Sequence, residues 1–118
     1  MTIRRLKTYT GSQGYVYQYY FVGQRATDDS WGPATEFIFD VTSDRKTTYA
    51  VSVFLPQQVV SGWNQVHGRA LTDSEQYAAT KLRLFRAFDE LENAQMQGLR
   101  LHIDLAFLEE SLAGLGVE

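Results

Sequence analysis

Residues 15–22 read YVYQYYFV, four tyrosines and one phenylalanine in eight positions bounded by Gly14 and Gly23. Aromatic and β-branched side chains suit a pleated surface and the glycines punctuate both ends, so the pattern predicts a strand over Tyr15–Val22. Successive side chains point to opposite faces. Tyr15, Tyr17, Tyr19 and Phe21 then share one side, and Val16, Gln18, Tyr20 and Val22 the other. A strand that only caps a core is polar on its wet face, yet here that face offers only Gln18. The expectation is a strand covered on both sides.

The neighbouring segments also read as strands. Ile3–Tyr9 fits a first strand, and Gly11-Ser12-Gln13-Gly14 a hairpin turn into Tyr15–Val22. A longer connection from Gly23 to Pro33 contains Asp28, Asp29 and Trp31. Thr35–Val41 alternates, with Phe37, Phe39 and Val41 on one face and Glu36, Ile38 and Asp40 on the other. Thr47–Leu55 does the same, with Tyr49, Val51, Val53 and Leu55 opposite in direction to Thr48, Ala50, Ser52 and Phe54. Opposed residues of an antiparallel pair share a face. The apolar rows meet only if an odd number of residues, such as Asp44-Arg45-Lys46, joins the two strands, or if a bulge intervenes.

The second half reads as helices. Pro56 suits a first turn, Val59, Val60, Trp63 and Val66 recur at helical spacing, and Gly68 supplies a left-handed stop. Thr72-Asp73-Ser74-Glu75 matches a capping box and opens a helix over about 73–94. Its expected apolar stripe is Tyr77, Ala78, Leu82, Leu84, Phe85, Phe88 and Leu91, with Gly98 as the stop. Leu99–Leu105 fits either a strand or a helix; the preferred reading is a fifth strand over Leu99–Ile103, then a helix over 104–113. The expected fold class is α+β: one domain over residues 1–118, with an N-terminal β-meander in an antiparallel sheet of four or five strands. Two or three C-terminal helices pack mainly on one face of that sheet.

Composition removes several classes of function. The 118 residues are 44% hydrophobic and 21% charged, as in an ordinary globular protein. The absence of cysteine excludes disulfides, thiolate nucleophiles and cysteine-bound metals, and fits a reducing, cytoplasmic setting. The first eleven residues, MTIRRLKTYTG, lack the apolar core of a signal peptide, and no apolar run is long enough to span a membrane. The net charge of −3 is spread so that residues 1–50 balance near neutrality while residues 51–118 are acidic. Neither half has the dense positive field that drives phosphate-backbone binding.

Few residues stand out chemically. The helical neighbours of Lys81 at three and four positions are Tyr77, Ala78, Leu84 and Phe85, all predominantly apolar. Such a lysine is either desolvated and facing an anion, or packs its stem on the core while the ammonium snorkels to water; snorkelling is the simpler account. His102 and Asp104 would share a face on a strand and could form a carboxylate-oriented imidazole, and His67 falls where a cation complements a helix dipole. Structural roles outweigh catalysis for both histidines. Two histidines and an Asp28-Asp29 pair make a poor metal set, so neither a metal nor a cofactor is expected. Gly11–Gly14 is too short for a phosphate loop, and Arg86 with Asp89 and Glu90 reads as a helix-surface ion pair. Trp31 is either a contact residue in a loop or a ring closing the edge of a core.

The leading expectation is a small binding protein without catalytic residues that forms a homodimer through an aromatic-rich sheet face. Its contact candidates are Tyr17, Tyr19, Tyr20, Ile38 and Phe54. The alternative is a small enzyme or ligand-binding cup for a planar anionic or aromatic molecule, lined by the aromatic row, Trp31 and Lys81, with His102 as proton carrier. A single-strand nucleic-acid binder, stacking bases on the aromatic face, is disfavoured by the missing basic field.

Overall fold

The computed structural model describes residues 6–29 and 32–117. Five strands form one curled sheet in the order β1 (Lys7–Thr10), β2 (Val16–Asp29), β3 (Gly32–Thr42), β4 (Tyr49–Pro56) and β5 (Arg100–His102). The class is α+β. The first four strands are antiparallel neighbours, whereas β5 lies parallel to β4 after the crossover through α1 (Gln57–His67) and α2 (Asp73–Glu90). A third helix, α3 (Leu105–Gly114), closes the described chain. Residues 3–5 of the expected first strand, and Trp31, lie outside the described residues.

The aromatic row of β2 faces the helices. Tyr17 stacks on Phe88 at 4.2 Å between ring centroids, Tyr9 on Phe85 at 4.4 Å, and Phe21 meets the edge of Tyr77 at 4.9 Å. With Phe37, Phe39, Val51, Val53 and Leu55 from the adjoining strands, these rings form one core with Trp63, Leu84, Leu108 and Leu112 of the helices. Each fully buried large side chain contributes roughly 1.5–3 kcal/mol as an upper figure. The helices, rather than a second molecule, thus cover the aromatic side of the strand. The register follows the alternation: Phe37, Phe39 and Val41 oppose Val53, Val51 and Tyr49. Seven residues separate Val41 from Tyr49, an odd number but longer than a three-residue turn. Asp44 shapes this loop, its Oδ1 accepting from the backbone N–H groups of Lys46 and Thr47 at 2.8 Å each.

Three local expectations are corrected. Gly23 does not end β2; it sits at a bulge where Val22 is the extra residue, and the strand continues to Asp29. A bulge inserts one residue and so exchanges the two faces, which takes Arg25 to the side opposite Phe21. Second, α2 stops at Glu90, not near residue 94, because its last turn is held by the first hairpin. Tyr9 donates to Asp89 Oδ2 at 2.8 Å, Ser12 N–H to Asp89 Oδ1 at 3.0 Å, and Gln13 Nε2 to the Glu90 carbonyl at 3.2 Å. A single 3-10 turn, Asn93–Gln95, then leads to β5. Third, Val66 is 71% exposed and lies off the buried stripe of α1. The expected caps are present. Thr72 and Glu75 bond reciprocally as a capping box, and Gly68 ends α1 with φ of 68°.

Two positions in this core test the packing. A Cβ on Gly11 would lie 2.5 Å from the backbone oxygen of Phe88, whereas one on Gly23 would meet nothing within 4 Å. Gly11→Ala therefore lowers stability by about 1–3 kcal/mol in chemical denaturation while Gly23→Ala stays within about 1 kcal/mol of the parent. Among the described residues the buried hydroxyls of Tyr17 and Tyr49 have no hydrogen-bond partner. Burial, with the nearby Tyr17 and Asp44, pushes the Tyr49 phenol up to about 12. Tyr17→Phe removes a polar atom that gains nothing, so its melting temperature equals or exceeds the parent's; a fall of several degrees would contradict this account.

Candidate binding face

All three helices pack on one side of the sheet, and the other side is built by cross-strand register. One row runs directly across four strands as Arg25, Glu36, Phe54 and His102. The next row runs as Gly23, Ile38, Ser52 and Arg100, and beyond it Tyr20 opposes Asp40, which opposes Ala50. Their centre is a carboxylate. Glu36 accepts from Arg25 Nε at 2.7 Å through Oε1 and from the Ser52 hydroxyl at 2.7 Å through Oε2, and its side chain is only 9% exposed. Burial alone would raise its pKa, but the bonds from Ser52 and Arg25 and the positive charges of Arg25 and Arg100 outweigh it. The carboxyl is held below the ordinary glutamate value.

Phe54 belongs to this face and not to the main core, yet it is 2% exposed. Its ring lies beneath the Arg100 guanidinium, 4.7 Å from the ring centroid, and stacks with His102 at 5.1 Å. An arginine over an aromatic face is attracted by the ring quadrupole and shields the ring from water. Beside this lid, Tyr20 donates to Asp40 Oδ2 at 2.7 Å. Ile38 is half-buried, with only a glycine as its neighbour on β2, and Val16 and Val22 stand 47% and 39% exposed. The surface is a mosaic: a closed polar cluster, an apolar spot where Val22 and Ile38 adjoin, and Val16 exposed further along β2 beyond Tyr20 and Gln18.

The candidate residues divide between the two sides. Tyr20, Ile38, Phe54 and His102 come together on the open face; Tyr17 and Tyr19 are buried beneath α2, where they serve as core rather than contact surface. Lys81 lies on α2, on the helix side of the sheet. Asp104 caps α3 by accepting from Phe107 N–H at 2.7 Å, and His67 stacks on Trp63 at 4.0 Å while meeting Glu109 at 2.8 Å. Arg86 pairs with Glu90 at 2.6 Å, while Asp89 serves the first hairpin. Arg25, Glu36 and Arg100 were not singled out by sequence. Their only signal was the polar interruption of an otherwise apolar alternation, and the bulge hides the parity of Arg25.

Among the described residues no group of three or more histidines and carboxylates is placed to hold a metal ion, and no helix is long and apolar enough to cross a membrane. Comparison with protein-family models, curated proteins and solved structures finds no match for this chain.

The buried carboxylate gives this face a pH signature. Because the Glu36 pKa is lowered on folding, its contribution is complete above the unfolded value of 4.5 and is lost as pH falls through the folded value. Glu36→Gln costs about 1 kcal/mol at neutral pH by urea unfolding. The difference from the parent shrinks as the pH is taken below 4.5; a difference that stays constant into acid would remove the ion pair from the account.

Proposed function

We propose that this protein acts by binding, with the open sheet face as its contact surface and a second copy of the chain as the occupant. The observation that carries this reading is the mosaic itself: the adjoining apolar side chains of Val22 and Ile38, with Val16 further along β2, beside carboxylates on β3 and arginines on β2 and β5. An isologous contact uses one patch on both subunits, so the patch must hold groups that satisfy their own copies. A face with both charge signs and an apolar spot meets that requirement. Its size also suits. Three long strands about 4.8 Å apart and an eleven-residue β3 span roughly 14 by 35 Å, on the order of 500 Å², which matches one partner's share of a small interface.

Edge pairing is the weaker route, since the outer strands β1 and β5 have four and three residues. Base stacking is weaker still, because the Phe54 ring lies under Arg100 and His102 and the face carries Glu36 and Asp40 beside its arginines. The lack of cysteine in 118 residues supports work in a reducing compartment such as the cytoplasm.

Light scattering tests the proposal. At tens of micromolar the parent should run at twice 13.5 kDa, and Ile38→Arg should run at the monomer mass with an unfolding transition as cooperative as the parent's. A parent that stays monomeric at these concentrations, or an Ile38→Arg variant that stays dimeric, would overturn it.

A further inference from the structure

On the helix side of the sheet a trough follows the line between α2 and α3. Its first stretch, about 230 Å³, is lined by Tyr77, Ala78, Lys81, Leu82, Phe85 and Leu115. The second, about 310 Å³, is bordered by Phe107, Glu110, Ser111 and Gly114 and shares Leu82 and Leu115 with the first. The two stretches are therefore one elongated depression with a leucine pair at its middle. Leu115 is 51% exposed there, a large apolar side chain left facing solvent.

Positive charge stands at both ends, but at the far end it is engaged: Arg83 and Arg86 lie 5.9 and 5.5 Å from the Phe107 ring centroid, Arg83 donating to the His102 carbonyl and Arg86 to Glu90. The Lys81 ammonium lies 5.7 Å from the Tyr77 ring centroid and 6.0 Å from that of Phe85, and among the described residues it makes no ion pair. Lys7 approaches from the sheet: it opposes Tyr19 on the helix-facing side, and the Tyr19 ring meets Phe85 edge-on at 5.6 Å. Burial and, after it, the charge of Lys7 make Lys81 easier to deprotonate than a free lysine. Two like charges thus share an apolar margin in a protein of net charge −3. An anion between them would relieve both the repulsion and the desolvation. At the far end Glu110 borders the trough, within reach of the Arg86 charge.

We propose that this trough binds a free single-chain carboxylate amphiphile, its head group between Lys7 and Lys81 and its tail along Leu82 and Leu115 toward Phe107. Apolar lining with a few convergent polar groups is the usual build of a small-molecule site. The cation without an ion pair among the described residues sets the orientation of the ligand: its anionic end at Lys81 and its apolar body beyond. This site lies on the side of the sheet opposite the proposed dimer face, so each reading stands or falls without the other.

Titration calorimetry with decanoate below its micelle concentration tests the proposal on the full chain. The parent should bind one decanoate per chain saturably, and decanol should bind about tenfold more weakly for want of a head group. Lys81→Met and Leu115→Asn should each weaken decanoate about tenfold, and the exposed Lys7→Met should weaken it less, all with melting temperatures at or near the parent value. Lys46→Met, in the β3–β4 loop, should bind as the parent does. No saturable binding, equal binding by Lys81→Met, equal binding of decanoate and decanol, or association with phosphatidylglycerol vesicles without binding of free decanoate would each overturn it.

Discussion

The stacking of Tyr17 on Phe88 is the contact on which the rest of the architecture depends. It joins the longest strand to the longest helix, and both rings are withdrawn from water. Around it the first hairpin and the end of α2 are clasped by the Asp89 carboxylate, which holds the Tyr9 hydroxyl and the Ser12 N–H together. Gly11 is pressed against the Phe88 carbonyl because nothing larger than hydrogen fits there. Aromatic stacking contributes beyond its buried area, and here it also sets the angle at which α2 crosses the sheet. Once α2 is placed, its outer flank and α3 define the trough, while the opposite side of the sheet is left open.

Much of this plan was legible where the determinants are local. The Thr72–Glu75 box needs four residues and no tertiary context, and it forms as read. The pairing of Phe37, Phe39 and Val41 with Val53, Val51 and Tyr49 follows from side-chain alternation alone, because any even connection would send an apolar row to the wrong face. The oddity of Lys81 was also visible, since its helical neighbours sit at fixed spacings. What the spacing could not supply was Lys7, which reaches the same place only through the register of β1 on β2.

The rest was illegible for physical reasons. A glycine in an apolar run looks the same whether it ends a strand or marks a bulge, and only the pairing of Gly23 with Ile38 distinguishes them. The end of α2 is decided by bonds from Gln13 and Ser12, residues remote in sequence. Surplus aromatic area in β2 suggested that a second molecule was needed to cover it, but α2 contributes Tyr77, Phe85 and Phe88 to the same stack, enough to shelter Tyr17, Tyr19 and part of Phe21, while Tyr15 stays 42% exposed. The cluster of Arg25, Glu36, Ser52 and Arg100 draws on four strands, and its assembly requires every register at once.

The parallel pairing of β4 with β5 carries a kinetic consequence. The meander of β1 to β4 closes through short connections, each cheap in chain entropy. The three-residue β5 instead joins Phe54 to His102, about fifty positions apart, and can dock only after two intervening helices have found their seats. The arrival of Arg100 and His102 over the Phe54 ring therefore carries a larger loop-closure cost than any pairing within the meander. Without that strand the Phe54 ring would lie bare, so β5 is what keeps an aromatic of the open face out of water.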